Sequence, residues 1–236
     1  MPTRNLWKLM LGLIIVFIIN GCSTQTDANS NDNNGAAGSE GPMISIKIGD
    51  QELLTKPSDR SLSGSYRNGI SIMELLKGSN IATFAEDNSS ILSVKDISLE
   101  SGMVWELQMD GQIIGKADWN NVVGYDSQLV FTAKSKDHQE PLQTVMLILN
   151  GGSVEVDLQH SYIMLFKEDL TVRELLKSCD MVQMDDGSRS VLSVNDYTPL
   201  SNEVWKLKVN GKLLLDNGMD MKLMPHDVLE ILLTLR

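Results

Sequence analysis

The chain has 236 residues, 42% of them hydrophobic, and a formal net charge of −11 at pH 7. An acidic chain repels nucleic acid and anionic lipid surfaces, which sets both aside as partners of its charged surface. Its two cysteines, Cys22 and Cys179, are too few for a disulfide framework.

The first element is an export signal over 1–21. Arg4 and Lys8 precede an apolar run from Leu9 to Ile19, and Gly21 supplies the small residue before Cys22. That run is roughly half of the ~20 apolar residues that a membrane span needs, so the segment is expected to be cleaved rather than to stay as an anchor. Ile19-Asn20-Gly21-Cys22 resembles the lipobox of bacterial lipoproteins. The resemblance implies that the Cys22 sulfur takes a diacylglycerol with palmitate-type chains, and that the chain is exported and held on the extracytoplasmic face of a membrane by that lipid. Several acyl chains suffice for stable attachment, at ~0.8 kcal/mol per buried methylene. Without the signal's two cations the net charge is nearer −13.

Residues 22–42 are rich in Ser, Thr, Asn, Asp and Gly, which predicts a flexible tether. Asp27, Asn29 and Asn31 have the alternate spacing of a calcium loop. Asp32 and Gly38, however, stand where such a loop needs its glycine and its bidentate glutamate.

Beyond the tether the chain repeats itself with an offset of 100 residues. Glu74-Leu75-Leu76-Lys77 returns as Glu174-Leu175-Leu176-Lys177, Ile91-Leu92-Ser93-Val94 as Val191-Leu192-Ser193-Val194, and Val104-Trp105-Glu106-Leu107 as Val204-Trp205-Lys206-Leu207. Two units are expected, 43–134 and 143–236, joined by a polar linker over 135–142. Each opens on a strand, with Ile44, Ile46 and Ile48 alternating in the first and Val145 to Leu149 nearly continuous in the second. Ser71-x-x-Glu74 and Thr171-x-x-Glu174 are capping boxes that start a short helix, and Gly78 is expected to stop the first copy.

Strand-like segments follow at Ile91 to Ile97 and at Val104 to Met109. The second runs into Asp110-Gly111, or Asn210-Gly211 in the second unit, the strongest short-range hairpin signal because both turn residues need positive φ. Closing strands are expected at Leu129 to Ala133 and Val228 to Leu235. The fold class read from this order is α+β: two tandem small β-grasp-like domains, each a mixed sheet with one short helix.

The capped Glu-Leu-Leu-Lys helix, Val-Trp-x-Leu-x-Val-Asn-Gly-Lys at Val204 to Lys212 and an Asp before the last strand resemble the transcobalamin-like C-terminal domain family of bacterial surface proteins. The resemblance covers both units and implies corrinoid binding. Where many members have a second aromatic after the tryptophan and a Gly-Asp turn before the last strand, this chain has Glu106 or Lys206 and Tyr125-Asp126 or His226-Asp227.

No catalytic or metal-binding constellation emerges. His138 falls in the linker, His160 in the early hairpin region of the second unit and His226 at a turn, with no ligand spacing among them. Cys179 reads as a semi-buried small residue, and Asp185-Asp186-Gly187 as a turn. Trp105 shares a strand face with Leu107 and Met109, and Trp205 with Leu207 and Val209, so both tryptophans are expected in the core rather than as stacking platforms. The expectation is therefore a cell-envelope lipoprotein without enzymatic activity or cofactor, binding a small molecule or an envelope partner. The alternative is a structural or protein-interaction spacer on the cell surface.

Overall fold

A computed structural model describes residues 41–137, 141–187, 189–215 and 218–236. The signal, Cys22, the tether as far as residue 40, with Asp27, Asn29, Asn31, Asp32 and Gly38, and His138 lie outside the described residues.

Strand β1 (Met43–Ile48) buries Ile44, Ile46 and Ile48 on one face, as the alternation predicts. It pairs antiparallel with the short β2 (Gln51–Glu52) and parallel with β8 (Gln128–Ser135), whose other edge holds β6 (Met103–Met109) and then β7 (Gln112–Ile114), both antiparallel. The order is β2-β1-β8-β6-β7. The second unit reproduces it as β14-β13-β15-β9-β10, built from β9 (Thr144–Asn150), β10 (Gln159–Leu165), β13 (Glu203–Val209), β14 (Lys212–Leu213) and β15 (Val228–Leu235). Only the β1–β8 and β9–β15 pairs within these two sets are parallel. Mixed sheets with a few short helices make the protein α+β and sheet-rich.

Helix α1 is the single turn Pro57–Arg60; α2 spans Ile72–Gly78 and α3 Val172–Lys177. Both capping boxes form. The Glu74 N–H donates to Ser71 Oγ at 3.3 Å and the Glu74 carboxylate accepts the Ser71 N–H at 3.1 Å; Thr171 and Glu174 do the same at 3.2 and 2.9 Å. Ile72, Leu75 and Leu76, and their counterparts Val172, Leu175 and Leu176, are buried beneath. Gly78 is the last residue of α2 rather than its stop signal; the left-handed residue past the end is Asn80, at φ 54°.

The β6–β7 and β13–β14 turns carry Asp110-Gly111 at φ 51° and 79° and Asn210-Gly211 at 50° and 76°. The side chain at the first turn position also ties down the closing strand: Asp110 Oδ1 accepts the Gln128 N–H at 2.8 Å, and Asn210 Oδ1 the Val228 N–H at 2.9 Å. The segment Ile91 to Ile97, expected as one strand, is two. It breaks into β4 (Ile91–Val94) and β5 (Ile97–Leu99) at Lys95 and Asp96, which adopt φ 48° and 59°. β3 (Ala82–Phe84) pairs with β4, and in the second unit β11 (Val182–Met184) pairs with β12 (Val191–Val194).

One pairing crosses between the units. β10 lies parallel to β5, with Ser161 opposite Ile97, Tyr162 opposite Ser98 and Ile163 opposite Leu99. The Ser161 N–H donates to the Asp96 carbonyl at 2.8 Å and the Glu100 N–H to the Ile163 carbonyl at 2.9 Å. One sheet of eight strands therefore runs β14-β13-β15-β9-β10-β5-β4-β3. Ile163, 0% exposed, and Leu142 belong to the same core cluster as Ile44, Leu75 and Trp105. Ser39–Arg236 forms one compact unit.

Candidate functional site

Trp105 and Trp205 occupy the same place in β6 and β13. The core expectation holds for Trp105, which is 8% exposed above a buried Leu107. It holds in part for Trp205: Trp205 and Leu207 share one face and pack against the second core cluster, but both are only half-buried.

Substitutions at equivalent positions account for the opening. In the first unit Trp119 is buried and meets Phe84 edge to face, with ring centroids 5.3 Å apart. Methionines stand at both counterparts, Met219 and Met184. Of the two, Met219 lines the opening beside β13, where the second unit thus has a methionine in place of an indole ring. The first unit's core also receives Ile163 from the second and Leu142 from the segment between them, whereas Tyr197, Thr198 and Pro199, which stand where β5 does, form no strand and have only the bridge Val194–Tyr197.

The resulting groove has a volume of about 630 Å³, within the usual range for small-molecule sites of roughly 300–1,000 Å³. Trp205, Leu207, Val191 and Leu214 contribute apolar wall, and Leu215, 72% exposed, stands where the first unit has Gly115. β14 pairs with only Lys208 and Val209, so the upstream half of β13, held by β15 on its other edge, has no strand on the β14 edge where it borders the groove.

Tyr197 meets Trp205 edge to face at 6.2 Å and donates its hydroxyl to Glu203 Oε2 at 2.8 Å. The same oxygen accepts the Leu200 N–H at 2.9 Å, which accounts for a carboxylate that is only 5% exposed. Its acceptance of the Tyr197 hydroxyl, helped by burial, raises the phenol's pKa above the usual value. Arg236 Nε donates to the Glu203 carbonyl at 3.1 Å. Arg189, Lys206 and Arg236 all line the groove. The indole N–H of Trp205 has no partner among the described residues; Trp105 and Trp119 share that property, so it does not mark the groove.

The other residues singled out in the sequence are dispersed. Cys179 is 2% exposed, and burial pushes its thiol pKa up, away from thiolate character. His160 lies in β10, 3.0 Å from Ser98 Oγ, in a cleft of about 220 Å³ with Lys95, Asp96 and Asn150 at the junction of the units. Burial lowers the His160 pKa, partly countered by Asp96. His226 sits in the turn before β15 at φ 70°. Asp185 accepts the Arg189 and Ser190 N–H groups at 2.5 and 3.2 Å and so holds a turn, as Asp87 does for Ser89 at 2.9 Å. Among the described residues no helix is long and apolar enough to cross a membrane.

The repeat pointed to Trp205 but to only part of its environment, because alternation names the face a residue takes and not what covers it. The signal that could have found the groove was the pairing of Trp119 with Met219. No family model matches the chain, and no curated protein matches it.

Proposed function

We propose that the protein is an exported lipoprotein, anchored through Cys22, whose two tandem β-grasp-like domains (43–134 and 143–236) form a non-enzymatic binding module. The groove beside Trp205 is its site for a small molecule or an envelope partner. The observation that carries this reading is the contrast between equivalent tryptophans, one sealed in the core and the other at the wall of a groove of binding-site size. The strand order β2-β1-β8-β6-β7, with its capped helix and one internal parallel pair, supports the β-grasp assignment. The lipobox-like Ile19-Asn20-Gly21-Cys22 supports the anchor.

A rigid spacer on the cell surface is the second reading, favoured by the β10–β5 pairing that makes one sheet of both units. Absorbance titration with cyanocobalamin and with haem, followed by capture from envelope extract, separates the two. Retention of a ligand that is lost in Trp205→Ala while the variant stays folded supports the binding module. Equal behaviour of wild type and variant favours the spacer. For the anchor, Cys22→Ser should abolish fatty-acid labelling; a variant that still labels contradicts the lipoprotein assignment.

A further inference from the structure

We infer that the groove beside Trp205 takes an anionic amphiphile, a small molecule with an unbranched apolar tail and one carboxylate head. This rests on the groove being a binding site at all, and the charge of its walls supplies the ligand class.

The chain is acidic overall, at −11, yet three cationic side chains line this groove. At the equivalent positions of the first unit Arg189 is Ser89 and Lys206 is Glu106, while Arg236 is Lys136. Moving from the closed unit to the open one therefore adds two cations and exchanges one carboxylate, Glu106, for another, Glu203 in place of Met103. Among the described residues the only acidic side chain lining the groove, Glu203, has one oxygen committed to the Tyr197 hydroxyl and the Leu200 N–H. A carboxylate ligand meets two guanidinium groups and an ammonium, against the single carboxylate of Glu203 among the described lining residues. Its tail meets Trp205, Leu207, Val191 and Leu215. The apolar wall supplies most of the affinity, and the cations select the head group.

The test uses Ser39–Arg236, which holds the described elements in one compact unit. Nile red, a neutral apolar dye, reports on the groove. Dodecanoate, dodecanol and dodecyltrimethylammonium, each below its aggregation concentration, compete with it. We expect the dye to bind and to be lost in Trp205→Ala. Dodecanoate should displace it at concentrations at least about tenfold lower than dodecanol does, the size of one charge-assisted contact, and the cationic compound should be the weakest. The double variant Arg189→Ser, Lys206→Glu, which installs the first unit's residues, should keep dye binding and erase the preference for dodecanoate. Added salt should reduce that preference as well. Equal displacement by dodecanoate and dodecanol, or a preference that survives the double variant, overturns the ligand class and leaves the groove standing. A dye that does not bind, or binds Trp205→Ala unchanged, overturns the groove and the ligand class together.

Discussion

The two units share strand order, helix caps and hairpin turns, yet they treat the same tryptophan differently. The cluster that buries Trp105 includes Trp119 and takes Ile163 from the second unit, with Phe84 packed against it; beside Trp205 Met219 lines the groove, and among the described residues the second unit receives no strand there. Position in a tandem array thus matters as much as sequence similarity. The first unit lends β5 to the neighbour that follows, while the corresponding stretch of the second ends in Pro199, which has no N–H, and in Leu200, whose N–H is taken by Glu203. Glu203 stands where the first unit has the buried Met103.

The largest expected difference is between the tryptophans. Trp105→Ala should cost about 3–5 kcal/mol in denaturant unfolding, as for other buried aromatics. Trp205→Ala should cost clearly less, because part of its ring is already in water. Equal losses would mean that the two environments are alike.

Ile163→Ala comes next, at about 2–5 kcal/mol. It should speed amide exchange in Met43–Ile48 of the first unit as well as in β10, since the side chain belongs to the first unit's core. Exchange confined to the second unit would show that the β10–β5 pairing does not couple them.

Removing the helix caps should erase the contrast. Ser71→Ala and Thr171→Ala should each cost about 1 kcal/mol, because the two boxes have the same geometry. Unequal thermal shifts would argue against equivalent helices.

The smallest effect is a pH dependence. Burial raises the Glu230 pKa, but hydrogen bonds from Lys208 Nζ at 3.0 Å and Asn150 Nδ2 at 2.8 Å outweigh it and hold the carboxyl below its ordinary value. A depressed folded pKa gives stability that is present above the unfolded value of about 4.3 and lost as pH falls through the folded one. The contribution should be no more than about 1 kcal/mol for so accessible a pair. Val130 and Gln108 stand at the equivalent positions, so the first unit has no such pair there, although Glu52, also depressed, gives it an acid-sensitive group of its own. Glu230→Gln should therefore flatten the acid limb of the second unit's unfolding curve alone; an unchanged limb would remove Glu230 from the account.

Features set by local rules were legible in the sequence. The capping boxes, the Asp-Gly and Asn-Gly turns and the inward Ile44, Ile46 and Ile48 each follow from a few neighbouring residues. The turn at Lys95-Asp96 was hidden because lysine seldom takes a left-handed conformation, and only the repeated Asn195-Asp196, at φ 48° and 62°, hints at it. The β10–β5 pairing was illegible for a different reason: it joins residues more than sixty positions apart, and no local pattern encodes which edge a strand will find. Trp205 belongs with that failure, since its exposure depends on elements that pack over the first unit and not the second.

Acrylamide quenching of single-tryptophan variants tests the asymmetry most directly. Of the four tryptophans, Trp7 and Trp119 are replaced by Phe together with either Trp105 or Trp205. Trp205 emission should be readily quenched and become protected when the groove is occupied, while Trp105 should resist quenching in either state. Equal accessibility of the two, with no change on ligand addition, would contradict the account.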